Sequence, residues 1–163
     1  MASYEKGKQE VSDHFRQNFP KGSTCLDVGA CTGVWFGLLG DWLDMDAIEI
    51  FEPNCETLKQ LNYEAVIFGD IREYNYCWYD VIIFGDVIEH MSVEDGQEVL
   101  RYAYPRCKDM IVAVPYKYIQ GELYGNKWEK HIQDDLTPEE FVKRYPGFVP
   151  LVQFDDYCYY HKI

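Results

Sequence analysis

The sequence predicts an α/β fold built on a parallel sheet, and three observations carry that expectation. Apolar runs alternate with segments of helical spacing, giving strand, helix, strand, helix by residue 62, the pattern of right-handed crossovers between parallel strands. One run, Met110-Ile111-Val112-Ala113-Val114, is apolar without a break, as in a central strand covered on both faces. The first run, Thr24-Cys25-Leu26-Asp27-Val28, ends in an acid and a small residue and opens into Gly29-Ala30-Cys31-Thr32-Gly33. Such a turn before a helix lets backbone approach a ligand closely and offers it the unpaired N–H groups of the helix start.

Tyr4, Val11 and Phe15 stand at helical spacing among polar residues and predict an amphipathic helix over 4–18, stopped by Pro20. Such a helix either closes over a cofactor mouth or packs on the sheet, and its His14 reads as a surface histidine. Behind the first strand and turn, Trp35, Phe36, Leu38, Leu39 and Trp42 make 34–43 a helix apolar around much of its circumference, with Gly37 and Gly40 permitting close packing. A second strand ends in Ala47-Ile48-Glu49-Ile50. Pro53 marks the start of the next helix, whose core face is Leu58 and Leu61, and a third strand ends at Phe68-Gly69-Asp70. The segment 71–78 is too short for a crossover helix and predicts a compact aromatic loop. Tyr79 to Asp86 reads as a fourth strand, followed by Val87-Ile88-Glu89-His90-Met91. Ser92-Val93-Glu94-Asp95 resembles a capping box and opens a helix to about Tyr104, ended by Pro105. After the fifth strand, 117–135 shows little periodicity, and unstructured stretches of that length are usually functional. Thr137-Pro138-Glu139-Glu140 supplies an N-cap and a first-turn proline for a helix to Tyr145, and 149–154 and 157–163 read as two strands around Asp155-Asp156.

At 163 residues the chain is expected to be a single domain over 1–163, burying about 70% of its unfolded surface. Its six cysteines lie far apart, several within apolar runs and none in a C-x-x-C pair, which reads as reduced core residues and not as a zinc or dithiol site. The polar N-terminus, and the lack of an apolar run near the roughly 18 residues of a membrane span, point to a cytoplasmic protein with no membrane partner. With 28 acidic residues against 15 basic ones the formal charge is −13, so nucleic acid is not the expected partner. The oligomeric state is not readable.

The glycine turn gives Gly29-x-Cys31-x-x-Val34 where a dinucleotide fingerprint wants G-x-G-x-x-G, and it fits D-x-G-x-G-x-G better, with only Cys31 departing. Together with Glu49, Asp70, the run 79–86 and Val87-Ile88-Glu89-His90-Met91, in that order, the chain resembles the class I S-adenosylmethionine-dependent methyltransferases over nearly its whole length. The resemblance implies a three-layer sandwich with a mostly parallel, doubly wound, seven-stranded sheet and an antiparallel C-terminal strand. It also implies S-adenosylmethionine as cofactor and S-adenosylhomocysteine as product. Carboxylates at successive strand ends would then bind it: Asp27, Gly29, Ala30 and Gly33 around the loop, Glu49 and Ile50 at the ribose, Asp70 and Ile71 at the adenine, and Asp86 and Val87 at the methyl-bearing end. Glu49 lies roughly twenty residues past the loop, where an acid can accept both ribose hydroxyls; Glu52 is the rival if the strand ends later, and a plain surface acid is the blander alternative. Methyl transfer is an in-line displacement, so positioning supplies much of the catalysis and a base is needed only for some acceptors. Asp86, His90 and His131 are the catalytic candidates, with His90 as a locally bonded helix-start residue or His131 as an exposed loop residue the simpler readings. The segment 117–135 is expected on the acceptor side, free to move on its glycines, with Tyr116 and Trp128 as pocket walls or core.

Some chemistry is disfavoured by position. The fourth strand does not end in an Asn-Pro-Pro-Tyr-like clamp, Val114-Pro115-Tyr116 follows the wrong strand, and Cys107 closes a helix and is poorly placed as a nucleophile. No Ser/His/Asp array or metal-ligand cluster is visible. The leading expectation is therefore a methyltransferase acting on a small-molecule or other non-nucleic-acid acceptor; an inactive cofactor-binding protein, and less so a nicotinamide oxidoreductase, are the alternatives.

Overall fold

The structure, a computed structural model, describes residues 6–163. Seven strands form one sheet: β1 (Ser23–Val28), β2 (Leu43–Glu49), β3 (Ala65–Phe68), β4 (Tyr79–Gly85), β5 (Cys107–Pro115), β6 (Phe148–Gln153) and β7 (Tyr157–Lys162), in the order β3-β2-β1-β4-β5-β7-β6. Neighbours from β3 to β5 are parallel, with Val28 opposite both Ile48 and Phe84. β7 enters antiparallel between β5 and β6, so the C-terminal hairpin closes that edge. This is the doubly wound mixed sheet that the resemblance implied.

The period of two along each strand divides the core. Cys25, Met45, Ala47, Val81, Ile83, Ile111 and Tyr159 face α1 (Lys8–Asn18), α2 (Val34–Leu39) and α3 (Glu52–Leu58). Leu26, Val28, Ile82, Phe84, Met110, Val112 and Tyr160 face α4 (Val93–Ala103) and α5 (Pro138–Arg144). Phe141 of α5 lies stacked on Tyr160 at 3.8 Å, and each such fully buried side chain contributes about 2 kcal/mol. The predicted caps form: Ser92 Oγ accepts from the Asp95 N–H and Thr137 Oγ1 from the Glu140 N–H. Among the described residues no helix is long and apolar enough to cross a membrane.

Two expectations are corrected. The helix at 34–43 ends at Leu39: Gly40 closes it on the Phe36 carbonyl at 2.8 Å, the Trp42 N–H donates to the Leu39 carbonyl at 2.8 Å while its indole N–H donates to the Phe19 carbonyl, and Leu43 already pairs with Ser23 in the sheet. The loss of side chain at Gly40 matters because a Cβ there would lie 2.8 Å from that same carbonyl oxygen. His14 is not a surface histidine; it is half-buried and its Nε2 lies 2.8 Å from Asp109 Oδ2. Of the two readings of the first helix, whose Tyr4 falls outside the described residues, packing on the sheet is the one seen: Val11 and Phe15 enter the sheet face, and none of its described residues lines the cavity at the strand ends.

Candidate functional site

The chain runs outward from β1 to β3 and then returns to β4, so the order of strands reverses between β1 and β4. Open α/β sheets bind ligands beyond the carboxyl ends of strands at such a reversal. A cavity of about 780 Å³ lies there, walled by the ends of β1 to β5, the loop at 126–132 and the β6–β7 turn. Its floor is the small-residue turn. Gly29 has φ +65°, and a Cβ there would come within 2.6 Å of Val87 Cγ2; Gly33 has φ +80° and would drive a Cβ into Leu61. Cys31 holds φ +51° although it carries a side chain, which explains why the pattern it interrupts favours glycine.

The acids expected at the strand ends take up distinct environments. Glu49, 5% exposed, ends β2 at the cleft, and its two oxygens accept from the Cys31 and Phe51 N–H groups at 2.9 and 2.8 Å, joining the turn to the acid. Asp70 lies past β3 with Arg72 folded onto it, Nη2 to Oδ2 at 2.5 Å. Burial opposes its ionisation, but the Arg72 side chain and N–H outweigh that and hold the carboxyl below its usual value. Asp86 is strained at φ +57° and accepts from the Tyr157 hydroxyl at 2.5 Å. Ala30, Ile50, Ile71 and Val87 line the same cavity, whereas Glu52 lies in the first turn of α3 and does not. Asp27 and Gly33 do not line it either. Asp27 is wholly buried beneath the turn, where Tyr63 donates to it at 2.7 Å and burial pushes its carboxyl up to about 7.

The opposite wall carries the histidines. His90 sits in a 3-10 turn, Ile88–His90, and His131 in the segment that follows β5. His131 is 5% exposed and its Nδ1 donates to the Tyr118 carbonyl at 2.8 Å; His90 Nδ1 donates to the Lys130 carbonyl at 3.2 Å. A carbonyl only accepts, so both neutral rings keep a lone pair on Nε2. Burial, then the neighbouring His131, lowers the His90 pKa. The loop is pinned where it passes the site: the Ile132 and Gln133 N–H groups donate to the Glu89 carbonyl, and Gln133 Nε2 donates to the carbonyls of Ile88 and Met91. Glu89 has no exposed surface, and burial, reinforced by Asp86, pushes its carboxyl well up.

No protein-family model matches the sequence, and no curated protein sequence matches it. Solved structures do. An S-adenosylmethionine-dependent methyltransferase from Clostridium acetobutylicum is similar at TM-score 0.74, with 13% identity, over 99% of this chain and 93% of its own. The 1,6-didemethyltoxoflavin-N1-methyltransferase of Burkholderia thailandensis, solved with 1,6-didemethyltoxoflavin and S-adenosylhomocysteine, is similar at 0.71, with 14% identity, over 97% and 78%. The chain has the class I methyltransferase fold. A TehB-like methyltransferase from Corynebacterium glutamicum is a third neighbour, at 0.67 and 15% identity over 99% and 89%.

Within this methyltransferase fold, Gly29, Ala30, Glu49, Ile50, Asp70, Ile71, Asp86, Val87, His90 and His131 all converge on one cavity. His131 is buried in its wall and not an exposed loop residue, and Trp128 and Tyr116 line it too, Tyr116 also sharing a hydrogen bond with Tyr160. Glu89, Arg72 and Tyr157 were missed by the sequence reading. Glu89 had a signal, an acid beside His90 directly after an apolar strand; Tyr157 had none, because its neighbourhood with Asp86 exists only once β7 inserts beside β5.

Proposed function

We propose that this protein transfers a methyl group from S-adenosylmethionine to a small molecule held between the Asp86 end of β4 and the His90–His131 wall. The observation that carries the reading is the pairing of Gly29 with Glu49. Gly29, at positive φ and without a side chain, lets the turn close against Val87 at the floor of the cleft, and beside it stands a carboxylate whose two oxygens are fixed by backbone N–H groups. These residues fit the cofactor: a carboxylate retains lone pairs after one hydrogen bond per oxygen, enough for two ribose hydroxyls. When bound, the cofactor supplies a methyl group on an already activated sulfonium.

Asp70 would accept from the adenine amino group of the bound cofactor, and the Ile71 N–H would serve a ring nitrogen. The Arg72 pair keeps Asp70 ionised for that task. Asp86, oriented by Tyr157, would hold the methyl-bearing end. His90 and His131, each with Nδ1 bonded to a backbone carbonyl, turn Nε2 toward the acceptor side of the cleft, where two imidazoles can help bring a hydroxyl or amine to its more nucleophilic form. The small-molecule reading is supported by neighbours of this fold that methylate small molecules, a toxoflavin precursor among them, and by the charge of −13, which disfavours a phosphate backbone.

The test joins calorimetry to an acceptor panel. S-adenosylhomocysteine should bind in the micromolar range and NAD should not, and label should pass from S-adenosylmethionine to a member of the panel. His131→Ala should leave cofactor affinity within a few-fold and lower turnover by about 10²-fold. Binding of NAD in place of S-adenosylhomocysteine would overturn the reading.

A further inference from the structure

Glu89 poses a problem that the cofactor reading does not solve. Its carboxylate has no exposed surface, and among the described residues neither oxygen has a hydrogen-bond partner. A buried carboxyl left in that state forfeits the hydrogen bonds it makes in water, and its charged form is costly unless a cation pairs with it. What stands opposite is imidazole: His131 Nε2 lies 4.0 Å from Glu89 Oε1, and the His90 ring packs edge-on to that of His131 at 4.7 Å between centroids. One donor atom from each of the three lies within 4.8 Å of the others.

We infer that Glu89, His90 and His131 form a binding site for a divalent transition-metal ion on the acceptor side of the cleft. Two imidazoles and one carboxylate make a ligand set suited to ions such as Zn²⁺, Mn²⁺, Fe²⁺ or Co²⁺, whereas Mg²⁺ and Ca²⁺ prefer all-oxygen surroundings. The surroundings of the histidines are those of metal ligands: each donates Nδ1–H to a backbone carbonyl, Tyr118 for His131 and Lys130 for His90, which fixes ring and tautomer and leaves Nε2 to coordinate. The two N–H groups donated to the Glu89 carbonyl clamp the 131–133 segment against the turn that carries the other two ligands. Tetrahedral ligands at about 2.1 Å from one ion stand about 3.4 Å apart, so a bound ion would draw the Glu89 carboxylate and the His131 imidazole together by roughly half an ångström from their 4.0 Å separation. All three residues line the cavity, so the remaining coordination positions open toward the acceptor.

The choice of acceptor rests on the methyl-transfer reading above. A hydroxyl oxygen of the small molecule completes the coordination shell, and the ion lowers its pKa so that the proton leaves to water. The oxygen then attacks the methyl carbon. A C–O bond forms as the C–S bond breaks, the electron pair stays on sulfur, and a methyl ether and S-adenosylhomocysteine result.

A second group, His14, Asp109 and His161, is similarly close-set, but His14 and Asp109 already satisfy one another at 2.8 Å and neither lines the cleft. It serves as the internal control. The full chain, stripped with chelator, is titrated with Co²⁺ and followed by its visible ligand-field bands and by calorimetry. One ion should bind per chain at micromolar affinity or tighter, with Mg²⁺ unable to displace it. Glu89→Gln and His131→Ala should each weaken it by about 100-fold, and His161→Ala should leave it unchanged. S-adenosylhomocysteine binding is measured on the same samples and should survive in all of them within a few-fold, which shows that the variants fold. Absence of Co²⁺ bands, or bands that persist in Glu89→Gln and His131→Ala and vanish in His161→Ala, would overturn the site. Co²⁺ binding as described in a chain that never binds S-adenosylhomocysteine would uphold the metal site and sink the methyl-transfer reading instead.

Discussion

Replacing Asp27 with Asn should stabilise the protein above neutral pH and leave it nearly unchanged in mild acid. The side chain ends β1 with no exposure, and while one oxygen accepts from Tyr63, the other has no partner among the described residues. Burial raises the pKa from 3.8 to about 7, against the Tyr63 hydrogen bond and the Lys8 charge. In the unfolded chain the group ionises near its ordinary value. The native state therefore binds the proton more tightly, and the stability this contributes is complete below about pH 4 and lost as pH rises toward 7. A difference of about three units is worth about 4 kcal/mol, which for a chain of 163 residues moves the melting temperature by roughly 8–16 °C. Asn occupies the same volume, still accepts from Tyr63 and cannot ionise. Melting both proteins by circular dichroism between about pH 4 and pH 8 should show two curves that coincide in acid and separate with rising pH, Asn the more stable. Parallel curves, or a wild type more stable than Asn at the alkaline end, would refute the assignment of a desolvated acid with a raised pKa beneath the Gly29–Gly33 turn.

Other consequences concern the cleft and its supports. Gly29→Val forces a branched residue to φ +65° with its Cβ 2.6 Å from Val87 Cγ2, and calorimetry should find S-adenosylhomocysteine binding abolished. Glu49→Ala removes a charged acceptor and strands the Cys31 and Phe51 N–H groups, so affinity should fall by about 10–100-fold; wild-type affinity in both variants would show the pocket to be misassigned. Thr137→Ala deletes the cap of α5 and should cost about 1 kcal/mol in urea denaturation without touching ligand binding. A double-stranded oligonucleotide should show no useful affinity at physiological salt, and tight, steeply salt-dependent binding would contradict the charge argument.

Much of the framework was legible because it is written in local terms. Hydrophobic period and length separate strand from helix, and Thr137 and Ser92 announce their helices through caps that act within one turn. Gly29 and Gly33 mark a tight turn because few other residues tolerate positive φ. Glu49 and Asp70 were found because strand ends are countable along the sequence. Helix 34–43 was overextended for the same reason: its apolar pattern runs on to Leu43, but the chain leaves the helix at Gly40 to meet β1, and that choice is made by the sheet.

The sequence by itself determined the α/β alternation, the turn, the order of acids and the charge that disfavours nucleic acid, since each depends on neighbours in the chain. Only the tertiary structure decided which of those residues share a cavity and in what state. Tyr157 reaches Asp86 across 71 positions, His14 meets Asp109 across 95, and Glu89 faces His131 across 42, contacts that no spacing rule encodes. The electrostatics follow the same divide. Whether a carboxyl lies in water like Asp44, bonded beneath a turn like Asp27, or unpartnered opposite two imidazoles like Glu89 is set by how much solvent the folded neighbours remove, and desolvation is a property of the packed molecule.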